Sequence, residues 1–417
     1  MFETFGALIG LVVAIVLIVC KTVPAYALIA GALVGGLAGG GGLDDTVKAM
    51  MSGTQAMMPS VLRILASGVL VGALVKTGSA AKIADAIVTR LGERFALAAL
   101  ALATMAVCAV GVFIDISVIT VAPVALAVGA RAKLPVPALL LAMIGGGKAG
   151  NIISPNPNTI AVADAFKVDL TVLMAANIVP ALSALAATVA LSFWLASRCR
   201  RQAGCLSLPG SEDGISERPA LWSALSGPAT VVALLSLRSF AGISIDPLVA
   251  LPAGGVVSLL ACGKWRNTVE FSQFGLGKVS GVAILLIGTG TVAGIIKSSG
   301  LNADMIALLE ALNLPMAALA PVSGVLMAGA TASTTAGATI ASQTFSGSLI
   351  GAGVSPVAAA ATMHAGATVV DSLPHGSFFH ATGGSVFMGV GERLKLIPYE
   401  AAVGLVATVV SCCKFFG

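Results

Sequence analysis

Ionisable side chains deep in apolar sequence are few here: Asp115, Lys148, Asp164, His364, Asp371, His375 and His380. Each costs roughly 2.5–3.5 kcal/mol on insertion into a bilayer, so each is read first as functional. They lie in or near four interrupted stretches: "GVFIDIS" (111–117), the segment 148–164, "GATASTTAGAT" (329–339) and "DSLPHGS" (371–377). The last sets Asp371 four residues before His375 across the helix-breaking Pro374. An acid beside an imidazole that titrates near neutral pH suits proton transfer. Asp371, Asp115 and His364 are the candidate ion-coupling residues. Asp115 reads alternatively as a partner for a lysine or a helix end. Asp164 reads as a helix-end residue or a functional one, and Lys148 as a site residue or a lysine whose stem snorkels to the headgroups.

The stretch at 148–164 carries neutral donors. Pro155 and Pro157 forbid a continuous helix, and Ser154, Asn156, Asn158 and Thr159 surround them. Non-helical backbone at membrane depth is tolerated only where it is buried in protein or lines a wet cavity. Hydroxyls, amides and a helix N-terminus suit a carboxylate or a hydroxylated acid. Ser154, Asn156, Asn158 and Thr159, with Ser372, His375 and Ser377 from the second break, form the expected substrate-binding set. The Ser/Thr run at 331–339 fits either a site or small-residue helix packing.

The elements that must hold these residues are membrane helices. The chain has 417 residues, 57% of them hydrophobic and 10% charged, against about 25% charged in soluble domains. Its mean hydropathy is +1.02. The formal charge of +5 is spread over short loops, which excludes a nucleic-acid patch and reads as topology information. The seven cysteines show no CxxC pair, so neither a disulfide framework nor a zinc site is expected. The segment Ala7 to Cys20 lacks a basic flank before it and reads as a retained membrane helix. About five or six full spans per half are expected, at about 20 residues each.

The chain reads as two similar halves, 1–197 and 220–417, joined by a polar linker at 198–219 whose Arg198, Arg200 and Arg201 argue for the cytoplasmic side. Residues 64–87 match 284–308, pairing Lys76 with Lys297 and Gly78 with Gly300. Residues 136–159 match 355–378, with Met143 on Met363, Gly146 on Gly366 and Asn151 on Asp371, each pair 220 residues apart. Such duplications in transporters are often inverted about an axis in the membrane plane. The expected fold is an all-α polytopic membrane protein of two inverted repeats. Each repeat holds a helix broken at 111–117 or 329–339, then a re-entrant hairpin broken at 151–159 or 371–377. Residues 79–92 read as an interfacial helix with Ile83, Ile87, Val88 and Leu91 on its apolar side.

Enzyme signatures are absent: there is no HExxH, GxSxG or GxxxxGK[ST], and no cofactor is expected. His375 and His380 are five apart and share no helix face. His375 next to Ser377 leaves a membrane-embedded hydrolase as a minor alternative, and a cation antiporter using Asp115 and Asp371 as another.

The run 154–181, with Pro155, Pro157, Ala161, Phe166, Asp169, Leu170 and Pro180, resembles the corresponding segment of the gluconate:proton symporter (GntP) family permeases. "DSLPH" at 371–375 is similar to the "DTLPH" of its hydroxybutyrate-permease-like branch. At Asn156 and Asn158-Thr159 the chain departs from the gluconate-type pattern, which has a histidine and Gly-Pro there. The family sits in an ion-transporter superfamily with inverted repeats and paired hairpins. The resemblance implies a homodimeric, multi-pass protein of the cell (inner) membrane. It implies symport of a small organic anion, such as gluconate or 3-hydroxybutyrate, with a proton or sodium ion.

Overall fold

Proline sets where many helices begin. Pro24, Pro157, Pro247 and Pro356 each occupy a first helical position, where the missing N–H has no intrahelical partner to lose. The computed structural model describes residues 2–20, 22–92, 95–201, 219–241, 243, 245–300, 304, 315–374 and 376–417. Among them every named element is helical. The first half runs α1 (Thr4–Val19), α2 (Pro24–Ala38), α3 (Leu43–Lys76), α4 (Ser79–Leu91), α5 (Ala96–Ala109), α6 (Ile114–Ala132), α7 (Val136–Asn151), α8 (Pro157–Phe166), α9 (Leu170–Ala176) and α10 (Ile178–Arg201). The second runs α11 (Leu221–Ala241), α12 (Pro247–Ala261), α13 (Thr268–Lys297), α14 (Leu319–Thr331), α15 (Thr334–Gly351), α16 (Pro356–Gly366), α17 (Ser377–Ser385), α18 (Val390–Leu394) and α19 (Ile397–Phe416). The polar linker, at 202–218, lies outside the described residues.

Helix starts recur at the same 220-residue offset that separates Lys148 from Thr368: Ile114 and Thr334, Val136 and Pro356, Pro157 and Ser377, Leu170 and Val390. The longest interface is between α3 and α13. Gly53 lies against Gly290, Gly68 against Gly275 and Gly72 against Phe271, so the two helices run antiparallel. A Cβ on Gly275 would stand 1.8 Å from the Gly68 carbonyl oxygen, and one on Gly72 would stand 1.9 Å from that of Phe271. Only glycine allows backbones this close, which is how helices gain packing where lipid offers no hydrophobic drive. The core centres on α7, buried from Ala138 through Asn151 and packed on α5, α6 and α10. In α4, Ile83 and Val88 are buried as expected, while Leu91 is exposed.

Two expectations change. Among the described residues four helices are long and apolar enough to cross a bilayer alone: Leu43–Lys76, Ile178–Cys199, Trp265–Lys297 and Val390–Phe416. A fifth crossing is α6, if its two parts, bent by 48° around Pro123, count as one. Much of the remaining apolar sequence is divided into shorter helices, so among the described residues fewer unbroken helices of spanning length form than composition suggests. The side-by-side pairs also differ. The helices flanking 152–156 hardly touch each other, because α8 packs on α15 and α3 while α7 packs on α5 and α10. The pairs that do pack together are α5 with α6 and α14 with α15, around the breaks at 110–113 and 332–333. The Pro155/Pro157 segment is thus a broken span rather than a hairpin turn.

Candidate functional site

At the first break Asn156 caps α8, its Oδ1 accepting from the N–H groups of Asn158 (2.9 Å) and Thr159 (3.2 Å). Its Nδ2 donates to the Asn151 carbonyl (2.9 Å) and to Asn151 Oδ1 (2.7 Å). Asn158 Nδ2 also donates to Asn151 Oδ1 (3.0 Å), and Ser154 Oγ donates to the Cys108 carbonyl (2.6 Å). Ser154, Asn156, Asn158 and Thr159 are all buried. The capacity of Asn156 is therefore spent inside the break, shaping it. Asn151 Nδ2 is buried without a partner.

At the second break Asp371 is buried beside Lys148, Oδ1 to Nζ 2.7 Å, each only 1% exposed. Lys148 also donates to the carbonyls of Thr368 (2.6 Å) and Glu400 (3.1 Å). It does not snorkel: α7 is enclosed on every side, so its ammonium is held by groups from the other half of the chain. Ser372 Oγ donates to Asp371 Oδ1 (3.0 Å). His375 lies outside the described residues, and so does the side chain of Ser377, which opens α17.

The first turn of α15 joins the two breaks. Thr335 Oγ1 donates to Asn158 Oδ1 (2.5 Å), and Thr334 Oγ1 donates to Asp371 Oδ2 (2.6 Å). Ser333 caps the helix, accepting from the Ala336 N–H at 3.2 Å. The same turn faces a cavity of about 630 Å³ that Asp115, Lys278, Asp371, Gly376 and Phe378 also line. Helix N-termini from α6 and α15 thus border one cavity, and their leading N–H groups lack intrahelical partners. Of the expected residues, Asp115 and Asp371 face this cavity. Ser154, Asn156, Asn158, Thr159 and Ser372 are buried and do not line it, though Asn158 and Ser372 bond to its lining residues Thr335 and Asp371. His364 is fully buried in α16 with neither ring nitrogen partnered, and it does not line the cavity. His380 donates to the Pro374 carbonyl at the surface (2.8 Å).

Two ion clusters lie outside that set. Arg393 pairs with Glu400 in the buried interior, donates to Thr382 Oγ1 (3.3 Å) and lies over the Phe379 ring (4.9 Å), fastening α17 to α18 and α19. Arg63 of α3 forks onto Asp246 (3.1 and 2.7 Å) and pairs with Asp164 of α8. Its bonds to the Asp246 carboxyl hold that group below the usual carboxylate range. A charge in the middle of an apolar 34-residue helix was the available signal for Arg63. Among the described residues no group of three or more His, Cys, Asp or Glu side chains could hold a metal.

Comparison with known proteins agrees with this architecture. The GntP family permease pattern matches residues 3–413. A Haemophilus influenzae protein described as an uncharacterized transporter is 52% identical over 416 residues, covering 99% of this chain and 98% of its own length. A second protein from that organism, described as an uncharacterized permease, is 28% identical over 193 residues, 46% of this chain and 39% of its own. The crystal structure of the Alcanivorax borkumensis YdaH transporter, described as having an unusual topology, superposes with a TM-score of 0.64. That match is 18% identical and covers 90% of this chain and 89% of the other, a likeness of fold alone. The all-helical fold, the paired breaks and the full-length match together assign the chain to the GntP family of permeases, as a membrane transporter.

Proposed function

We propose that this permease is a secondary active symporter of a small organic anion, most simply a hydroxy-monocarboxylate, driven by protons or sodium across the cell (inner) membrane. The observation that carries the reading is the first turn of α15. Its hydroxyls tie the two breaks together while its N-terminal end faces the cavity. A carboxylate there meets a helix N-terminus, whose first N–H groups have no partner in the helix's own ladder, in a cavity that Lys278 also lines. Asp115 and Asp371 on the same cavity supply the coupling site, the first without a lysine on its own helix turn and the second already neutralised by Lys148. Asn156 shapes the break, and Asn158 reads the substrate through Thr335.

Two inverted repeats, 1–197 and 220–417, fit this function. The constant helix offset supports the duplication. The antiparallel course of α3 and α13, whose ends Lys76 and Lys297 correspond, supports the inversion. A bond from Lys148 to Thr368, 220 residues on, is what a two-fold axis close to that contact would give, and it supports the same reading. The test is uptake by proteoliposomes from a panel of small hydroxy- and keto-acids, with imposed proton or sodium gradients. Accumulation of an acid that collapses with one gradient is expected. Counterflow of cations with no acid taken up would instead favour the antiporter.

A further inference from the structure

Two cavities of the protein share part of their lining at corresponding positions of the two halves. Besides the large one, a smaller cavity of about 200 Å³ is lined by Arg63, Asp164, Ile160, Ile245, Asp246 and Pro247. Aligning the helix ends Lys76 and Lys297 sets Arg63 on Ile284. Aligning the helix starts Pro24 and Pro247 sets Asp246 on Val23 and Ile245 on Thr22. Ile284, Thr22, Val23 and Pro24 all line the large cavity. So where the large cavity has Ile284 and Val23, which cannot pair, the small one has an arginine and a carboxylate that do. The ion cluster ties three helices together on this side: Arg63 of α3 binds Asp246 at the head of α12 and also Asp164 near the end of α8. The arginine and Asp164 are about three-quarters buried, with side chains 24% and 22% exposed, so water screens them only in part. Ile160, on α8 behind the cluster, is 1% exposed.

We propose that Arg63, Asp164 and Asp246 form a latch holding the second arm of the broken span against α3 and α12. It closes the access route that corresponds, in the other half, to the large cavity. Breaking the latch lets α8 leave α3 and opens that route. The equivalent movement in the second half closes the large cavity, where the positions matching Arg63 and Asp246 are the uncharged Ile284 and Val23. In inverted-repeat transporters the two facing states exchange the conformations of the repeats, so a latch at this position in only one of them biases the resting state toward one side. The inference rests on the inverted-repeat reading above.

The test needs no substrate. In a background without the seven native cysteines, Gly281→Cys reports the large cavity, since a Cβ there meets nothing within 4 Å. Ile160→Cys reports the latched side. Each is labelled with a membrane-impermeant thiol reagent added to one face of sealed vesicles. The expected result is labelling from opposite faces, slow at Ile160→Cys. Arg63→Ala, which removes the bonds to both Asp246 and Asp164, should raise that slow rate by at least about 10-fold, the effect of losing even one charged hydrogen bond, and lower labelling at Gly281→Cys. Asp164→Asn, nearly isosteric, should act in the same direction and serves should Arg63→Ala misfold, while Arg63→Lys should restore part of the slow rate. Opposite faces with rates unmoved by Arg63→Ala and Asp164→Asn would overturn the latch and leave the inverted repeats standing. Labelling of both sites from one face would overturn the inverted reading and the latch with it.

Discussion

Lys148→Met tests whether the two halves are locked together at Asp371. The ammonium makes three contacts of 2.6, 2.7 and 3.1 Å, to the Thr368 carbonyl, the Asp371 carboxylate and the Glu400 carbonyl. Both charges are 1% exposed, so removing the lysine leaves a carboxylate with only Thr334 and Ser372 as donors. Breaking one partner of a buried pair costs about 3–5 kcal/mol, more than the pair itself is worth, because the remaining charge stays desolvated. Asp371→Asn leaves the lysine two carbonyls and should cost less, about 2–3 kcal/mol. The double variant removes both charges, so it should be milder than the sum of the singles by roughly 2–3 kcal/mol. The assay is thermal unfolding of purified protein in one detergent, comparing the four proteins of the cycle. Additive effects, or a Lys148→Met protein as stable as its parent, would show that the pair carries no load and that the site is held by helix packing alone.

Asp371→Asn should abolish accumulation of substrate against its gradient while permitting exchange, because exchange needs no net movement of the coupling ion. Accumulation that persists with unchanged ion dependence moves the coupling site to Asp115. Gly68→Val should prevent stable assembly, since its Cβ would meet the Gly275 backbone at 3.1 Å and its branches lie closer still, whereas Gly281→Ala faces open space and should be silent; size-exclusion profiles in detergent separate the two. Thr335→Val removes the bond between α15 and the first break, and should weaken substrate affinity by roughly 10-fold, as the loss of about 1.4 kcal/mol does, with little change in melting temperature. A large stability loss with normal affinity would make that threonine structural.

What was readable beforehand followed from local chemistry. Pro155 and Pro157 forbid a helix whatever surrounds them, so the break was legible, and so was Asp371, whose carboxyl has no place in lipid. The helix offset was visible because duplicated apolar stretches keep their order. The role of Lys148 was not: a lysine near a helix end snorkels or stays buried according to what lies over it, and Thr368 and Glu400 are 220 and 252 residues away. The role of Arg63 is hidden for the same reason, its partners Asp164 and Asp246 being 101 and 183 residues away. The hairpin assignment failed because a proline break says where a helix stops and not which way the chain leaves. That Thr334 and Thr335 join the breaks could not be separated in sequence from small-residue packing. The direction of α15 against both tips decides it.

The central claim is that a small organic anion is carried through the cavity at the first turn of α15. The most direct measurement is substrate protection of Gly281→Cys in proteoliposomes that take up the acid. The account predicts that the transported acid, in the presence of its coupling ion, slows thiol labelling at this position in a concentration-dependent way, and that an acid not transported leaves it unchanged. Labelling at the same rate with and without saturating substrate would contradict it and place the transport path elsewhere in the fold.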